Sequence, residues 1–446
     1  MRNVILFALL TLSAASVFAQ NVRELLKRDF LKAGSNYYAY QGPTRELTPA
    51  PSGYHPFYIS TYARHGSRYL ITADEYDKPY QVLLRANEAG KLTELGQKAF
   101  RLLGYLHDDA KGRYGDLTPI GAAQHRQIAQ RMFDRFPEVF DGHSVIEAKS
   151  TIAIRCILSM QNELLQLAKN NHHLVFNADA SQHDMYYMNL QDTTLYLQRY
   201  SRKTRDVYNE FCNQYVIDKP AMGRLFNDTV YFNQKIDAFE LNKAIFKIAS
   251  SIQGTEMRDL FNLFDIYTQD ELYNNWLQAN AFWYLSYGNN PYNGGHQPFT
   301  QRKLLRRIIA DADSCLALPH PGATLRFGHE TIILPLACLL DLNGYGREIY
   351  DLEQLDLMGW INFEVFPMAA NIQFVFYRRS KHDHDVLFKV LLNENEAMLP
   401  LPTQMAPYYQ WKDFREYYLK KLDSYREEKA LHADIGFPKH HLTLVE

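Results

Sequence analysis

The residues with the most chemical content stand together at Arg64-His65-Gly66-Ser67-Arg68, directly after the β-branched and aromatic run from Phe57 to Ala63. A guanidinium presents a planar fork of N–H donors that matches the oxygens of a phosphate two at a time. Glycine after the histidine lets the backbone approach a ligand closely, because no Cβ intervenes. Two neighbouring cations disfavour an imidazolium, so His65 is expected to stay neutral below its ordinary pKa and keep a lone pair for attack. The preceding run reads as a buried strand, and the end of such a strand is where open α/β proteins bind anions. A strand-to-loop junction with solvated arginines fits the same five residues, and a match this short does not decide between the two.

Two later segments have related form. Ser144-Val145-Ile146-Glu147-Ala148 reads as a strand, and Ser150 or Thr151 is expected to cap a helix whose first turn holds Arg155. A guanidinium beside the free amides and positive dipole end of a helix is an anion-site geometry. A surface arginine on an amphipathic helix is the plainer alternative, but the apolar neighbours Ile152, Ile154, Ile157 and Leu158 argue against full exposure. The third segment, Ala323 to Glu330, is a strand ending in Gly328-His329-Glu330, with helix expected from Thr331 and Pro335 in its first turn.

A phosphomonoester carries an unreactive dianion, so a site acting on it must offset that charge, align a nucleophile and protonate the departing alkoxide. Arg64, Arg68, Arg155 and His329 can hold the phosphoryl oxygens, His65 can attack, and Glu330 can supply the proton. The requirement is that two strand ends, distant in sequence, lie side by side.

The elements between them are legible. Thr72-Ala73-Asp74-Glu75 has the pattern of a capping box opening a helix that ends at Gly90, and a second helix runs from about Thr93 to His107. Thr118-Pro119 opens a third, carrying Gly121, Gln124, Ile128 and Met132 and stopping before Pro137. From 180 to 310 the chain turns polar and Tyr- and Asn-rich with helical periodicity, as in Ile236–Ile252 and Asp270–Tyr287, which predicts an inserted helical cap. Asn371–Tyr377 and Val386–Leu392 read as a hairpin. The expected organisation is a leader over 1–19, a first part of the α/β core over 20–179, the cap over 180–310 and the rest of the core over 311–446.

Composition narrows the function. A formal charge of −2 offers no global attraction to nucleic acid or anionic membrane, so any anion site must be local. At 14% aromatic residues the chain is globular rather than disordered. Arg2, the apolar run Val4–Leu12 and the small-residue end Val17-Phe18-Ala19 have the layout of an export signal, and no later stretch is long and apolar enough to insert in a membrane. Cys156, Cys212, Cys315 and Cys338 fit no metal pattern, and Cys156 and Cys338 read as buried thiols. Lys381-His382-Asp383-His384-Asp385 resembles a metal cluster, but its place between two strands favours a polar turn, and the chemistry above needs no metal or other cofactor. Arg199, Arg202, Lys203, Arg205, Arg302, Lys303, Arg306 and Arg307 could meet outlying phosphates of a polyanion; solvated helix faces are the preferred reading.

Taken in order, Arg64-His65-Gly66-Ser67-Arg68, the Leu117-Thr118-Pro119-Ile120-Gly121-Ala122-Ala123-Gln124 helix start, Ser150-Thr151 with Arg155, and Leu325-Arg326-Phe327-Gly328-His329-Glu330 resemble the histidine phosphatase superfamily in its acid phosphatase and phytase branch. The later stretches Asn371–Tyr377, Leu391-Leu392-Asn393-Glu394 and Tyr408-Tyr409-Gln410-Trp411 look most like the multiple inositol polyphosphate phosphatases. The resemblance implies a three-layer α/β core with a central, mostly parallel sheet and an α-helical cap over the strand C-termini. It also implies phosphate release through a phosphohistidine on His65, phosphate binding by Arg64, Arg68, Arg155 and His329, and proton donation by Glu330. One departure stands out, since that subgroup usually carries His-Ala-Glu and the acid phosphatases His-Asp, whereas Glu330 here follows His329 directly. Either a residue has been lost before the donor or Glu occupies the Asp position with an extra methylene, and the donor's reach is at issue. The expected activity is an exported phosphatase of inositol polyphosphates, phytate above all, with an acidic to near-neutral optimum. A broad acid or sugar-phosphate phosphatase and a non-catalytic inositol phosphate binder are the alternatives. The expected partner is a small phosphorylated molecule.

Overall fold

The computed structural model describes residues 22–190, 192–260 and 262–426; the leader expected over 1–19 and the pair His440-His441 lie outside them. A mixed eight-stranded sheet runs in the order β3-β2-β4-β1-β5-β6-β7, with β8 on β6. Its strands are β1 (His55–Arg64), β2 (Val145–Ser150), β3 (Val175–Asp179), β4 (Gly322–Gly328), β5 (Asn371–Arg378), β6 (Leu387–Leu392), β7 (Asn395–Ala397) and β8 (Tyr409–Gln410). β3, β2, β4 and β1 are parallel, and β5 onward is antiparallel. The fold is α/β, as expected.

All residues of β4, β5 and β6, and all of β1 but His55, are buried. Burial on both faces requires helices on both sides of these strands, which accounts for their unbroken apolar and aromatic runs. On one face α3 (Pro119–Arg135) packs on α4 (Ile154–Asn170), setting Ile128, Met132, Cys156 and Met160 against Ile59, Phe327 and Val375. On the other lie α7 (Arg302–Leu316), α8 (Glu330–Leu339) and α9 (Trp411–Ser424), where Phe414 meets Phe374 and Phe388. The boundary expected at 310 falls inside α7, whose Asp311 pairs with buried Arg326 of β4 at 2.5 Å. Among the described residues no helix is long and apolar enough to cross a membrane.

Between 182 and 301 many short helices join α5 (Ala238–Ile252) and α6 (Gln269–Tyr287) in a helical layer. α5 also packs on α1 (Asp74–Glu88), which in turn packs on α2 (Glu94–Ala110). Thr93 and Thr118 cap α2 and α3, each accepting an amide at 3.1 Å. At Thr72 only half of the capping box forms: Glu75 accepts the Thr72 amide at 2.9 Å, while its other oxygen pairs with Lys247 of α5. Pro335, the sixth residue of α8, sits in its second turn rather than the first. The His382–Asp385 segment is the expected polar turn, with Arg379 paired to Asp383 at 2.7 Å and Asp385 at 3.0 Å. All four cysteines are free, Cys156 and Cys338 buried.

Register does the positioning. β1 and β4 are parallel neighbours with Ala63 opposite Phe327 and Arg64 opposite Gly328, so His65 and His329 leave the sheet side by side. β2 lies on the far side of β4 with Ser150 opposite Phe327, which brings Thr151 and Arg155 to the same edge.

Candidate active site

The turn after β1 is held through its backbone. The His65 amide donates to the Gly328 carbonyl at 2.9 Å, the Arg64 amide to Ala370, and the His65 carbonyl accepts from Ala369 at 3.0 Å. The Gly66 amide donates to the Ser159 hydroxyl at 3.0 Å and the Ser67 amide to Gln124 Oε1 at 2.9 Å. Thr118 Oγ1 lies 3.0 Å from the Ser67 carbonyl and 2.6 Å from that of Gly254 in the helical layer. Gly66 and the α3 residue Gly121 touch backbone to backbone: a Cβ on Gly66 would collide with the Gly121 carbonyl and stand 2.6 Å from its Cα. That contact, not a special dihedral, is what glycine supplies here.

Within this frame His65 is 1% exposed and its Nδ1 lies 2.8 Å from the Gly66 carbonyl. A carbonyl only accepts, so Nδ1 carries the hydrogen and Nε2 is left with the lone pair. Burial and then the Arg64, Arg155 and Arg68 charges press the imidazole pKa well below its usual value, which keeps the ring neutral. Nε2 faces Glu330 Oε2 at 3.7 Å, and the two histidine rings are 5.7 Å apart in a T arrangement.

Arg64 anchors one terminal nitrogen on the carbonyls of Asn36 (2.5 Å) and Phe366 (2.8 Å). Its Nε meets the Glu330 carboxylate, while its second terminal nitrogen has no hydrogen-bond partner, and neither do the Nε atoms of Arg68 and Arg155 or the Ser67 hydroxyl. Buried donors without acceptors are costly, and several gathered around His65 describe a cradle for an anion. Arg155 is half-buried. Its helix is not capped by Ser150 or Thr151, since Ala153 occupies the cap with no side-chain bond. Thr151 instead faces His329 Nε2 at 3.2 Å. Ile152, Ile154 and Leu158 are exposed, because α4 packs through Cys156, Met160, Leu164 and Leu167.

Glu330, the first residue of α8, is 8% exposed, and its Oε2 stands 3.1 Å from Arg64 Nε. The carboxylate therefore reaches His65 from the position directly after His329. Burial alone would raise its pKa, but Arg64 and then Arg68 hold it down to about 2. Burial and then Arg155 press His329 to about 4. His65, His329 and Glu330 bring three potential metal-ligand atoms within 4.8 Å of one another, yet three guanidiniums repel a cation there and attract an anion.

Residue reasoning missed the supporting layer. Buried His125 of α3 directs Nε2 to the Arg64 carbonyl at 3.1 Å and Nδ1 to Glu163 of α4 at 2.7 Å. Nε2 must donate to that carbonyl, so one proton is shared between Nδ1 and Glu163, whose carboxyl burial pushes up. The available signal was helical spacing: with Gly121, Gln124, Ile128 and Met132 facing inward, His125 lies on the same face. The outlying basic residues are largely engaged with the protein itself. Arg302 pairs with Asp192, Arg306 with Asp423 and Arg307 with Asp311, while Arg199 stacks on Tyr287 at 3.8 Å.

The family model described as histidine phosphatase superfamily (branch 2) matches residues 60–393. Among curated proteins, no sequence matches the chain. Solved structures share the fold at low identity. The Bifidobacterium longum multiple inositol polyphosphate phosphatase, apo form, aligns with a TM-score of 0.71 at 17% identity over 90% of this chain and 99% of that one. The same protein is known in complex with inositol hexasulfate. The D. castellii phytase aligns with a TM-score of 0.61 at 14% identity over 89% and 85%, and the Hafnia alvei phytase with 0.52 at 12% over 83% and 98%.

Proposed function

Because this chain belongs to the histidine phosphatase superfamily, branch 2, we propose that it hydrolyses phosphomonoesters through a phosphohistidine on His65, with inositol polyphosphates, phytate above all, as substrates. One observation carries the reading: a lone pair on His65 Nε2 faces a carboxylate 3.7 Å away across a hollow lined by unpartnered guanidinium donors.

Arg64, Arg68, Arg155 and His329 bind the phosphoryl oxygens and spread the charge that builds up on them in transfer. The Nε2 lone pair forms the N–P bond while the ester P–O bond breaks, and the departing oxygen takes a proton from Glu330. The Gly66 carbonyl, bonded to Nδ1–H, stabilises the positive charge that develops on the ring. Glu330, now a carboxylate, takes a proton from water as the water oxygen attacks phosphorus, and the N–P electron pair returns to Nε2. Export, expected from the leader, belongs to the same reading and is tested by cell fractionation.

The choice of inositol polyphosphates leans on what related proteins are named for. A second reading, a phosphatase of small monoesters, draws on the ion pairs that occupy Arg302, Arg306 and Arg307, because engaged cations offer less to outlying phosphates. Phosphate release by purified protein from phytate and from simple sugar phosphates separates the two. Higher kcat/KM on phytate supports the first; equal or higher values on monophosphates support the second.

A further inference from the structure

The charges fixed around His65 pose a problem of proton supply. Leaving-group transfer needs an acidic proton next to His65, and the groups around Glu330 do not hold one ready. Arg64, Arg68 and Arg155 keep their protons under any relevant condition. The single proton of His65 is committed to the Gly66 carbonyl, and the ring faces Glu330 as a base. His329, directly before Glu330, is neutral above about 4. The Tyr62 hydroxyl donates to the Met188 carbonyl, the Cys156 thiol to that of Gly328, and the Tyr287 phenol is pushed up by burial. Glu330 itself lies 3.1 Å from Arg64 Nε, an arrangement of carboxylate with guanidinium. Among the described residues, no acidic side chain around His65 holds the proton that the reaction must deliver.

The charges point to where it comes from. Three guanidiniums face one carboxylate, and an incoming dianion would have to settle against that carboxylate. An ester that still carries one phosphate hydroxyl brings less negative charge and a donor for a Glu330 oxygen. We propose that the substrate is taken up as the phosphomonoester monoanion, and that the proton ending on the leaving alcohol enters on the substrate's own phosphate and passes through Glu330. This rests on the phosphomonoesterase reading above. The balance closes: the P–O–H proton moves to the Glu330 carboxylate, leaving a dianionic phosphoryl group on the arginines. His65 Nε2 then displaces the alkoxide, which takes that same proton and leaves as the alcohol.

Two consequences follow. The alkaline limb of kcat/KM is the titration of the substrate's phosphate, near pH 6 for an ordinary monoester, and it moves when the ester is exchanged for one with a different second pKa. Binding is also linked to proton uptake. The direct test is calorimetric titration with methylphosphonate, which has no leaving group, in buffers of different ionisation enthalpy. Two pH units above the probe's second pKa, the protein takes up about one proton per molecule bound; two units below, it takes up about none. Glu330→Asp keeps the uptake, and Glu330→Gln binds the probe without it. Binding with no uptake at the higher pH, the same uptake in Glu330→Gln, or a kcat/KM limb fixed across esters would overturn the proposal alone. No binding at any pH, with no ester turned over, would end the phosphatase reading and the proposal together.

Discussion

The two sides of the hollow are built differently. On the β1 side, the turn Arg64–Ser67 is tied by its backbone to β4, α3, α4 and the segment at Ala369-Ala370, and only glycine fits where it meets Gly121. On the β4 side, His329 and Glu330 open α8 with no side-chain cap, and the carboxylate is held by charge. The proposed nucleophile, His65, is fixed by geometry that does not change with pH, whereas the proposed acid, Glu330, is held by an ion pair that an arriving phosphate could exchange. Catalysis gains from both: a nucleophile must wait in line, and a proton carrier must change its state within each turnover.

Substitutions can break either side. Glu330→Gln removes the exchangeable side, and kcat on alkyl phosphates is expected to fall roughly 10²- to 10⁴-fold, with a far smaller loss on 4-nitrophenyl phosphate, whose leaving group departs without a proton. Equal losses on both esters in steady-state assays would mean that Glu330 does something other than protonate. Gly66→Ala breaks the fixed side: the new Cβ drives the turn from Gly121, so kcat/KM drops about 100-fold for every ester alike, and Tm falls with it. An active, equally stable variant would show that the contact is dispensable.

Behind the turn, Glu163→Leu strands His125 beneath the Arg64 carbonyl and costs about 1–3 kcal/mol in denaturant unfolding. Glu163→Gln can still donate to Nδ1 and recovers most of that loss. Failure of the glutamine variant to do better would remove the shared proton from the account.

The pH dependence of stability sharpens the contrast further. Between its ordinary 6.5 and about 4, His329 is protonated in the unfolded chain and neutral in the native one; between 4.5 and about 2, Glu330 is protonated in the unfolded chain and ionised in the native one. In both windows the unfolded state binds more protons, so stability falls as pH falls. The Tm of the ligand-free protein should decline steadily from pH 6.5 downward, and Glu330→Gln should flatten the lower part of that decline. A Tm that rises on acidification would reverse the sign and the charge assignments with it.

Legibility in the sequence followed the same division. Strand, turn and capped helix could be read from Phe57–Ala63, Thr118-Pro119 and Ala323–Gly328, because pattern and turn chemistry are local. The residues that could do chemistry were legible by type. What supports them was not. Gln124, Ser159 and His125 act on the backbone of a turn far away in sequence, and nothing in their own neighbourhoods names that partner. Thr151 has the place of a cap, a hydroxyl just before a helix, but its partner is His329, far away in sequence. Ile152 and Ile154 argue in the sequence against full exposure of Arg155, which is half-buried, although both isoleucines themselves face solvent.

The central claim is that His65 carries the phosphoryl group. Rapid mixing with a ³²P-labelled phosphomonoester, quenching in alkali to preserve phosphohistidine, and peptide mapping should find one acid-labile phosphoryl group on His65 Nε2, and none in His65→Ala. Turnover with no covalent label, or label on Cys156 or another residue, would contradict it.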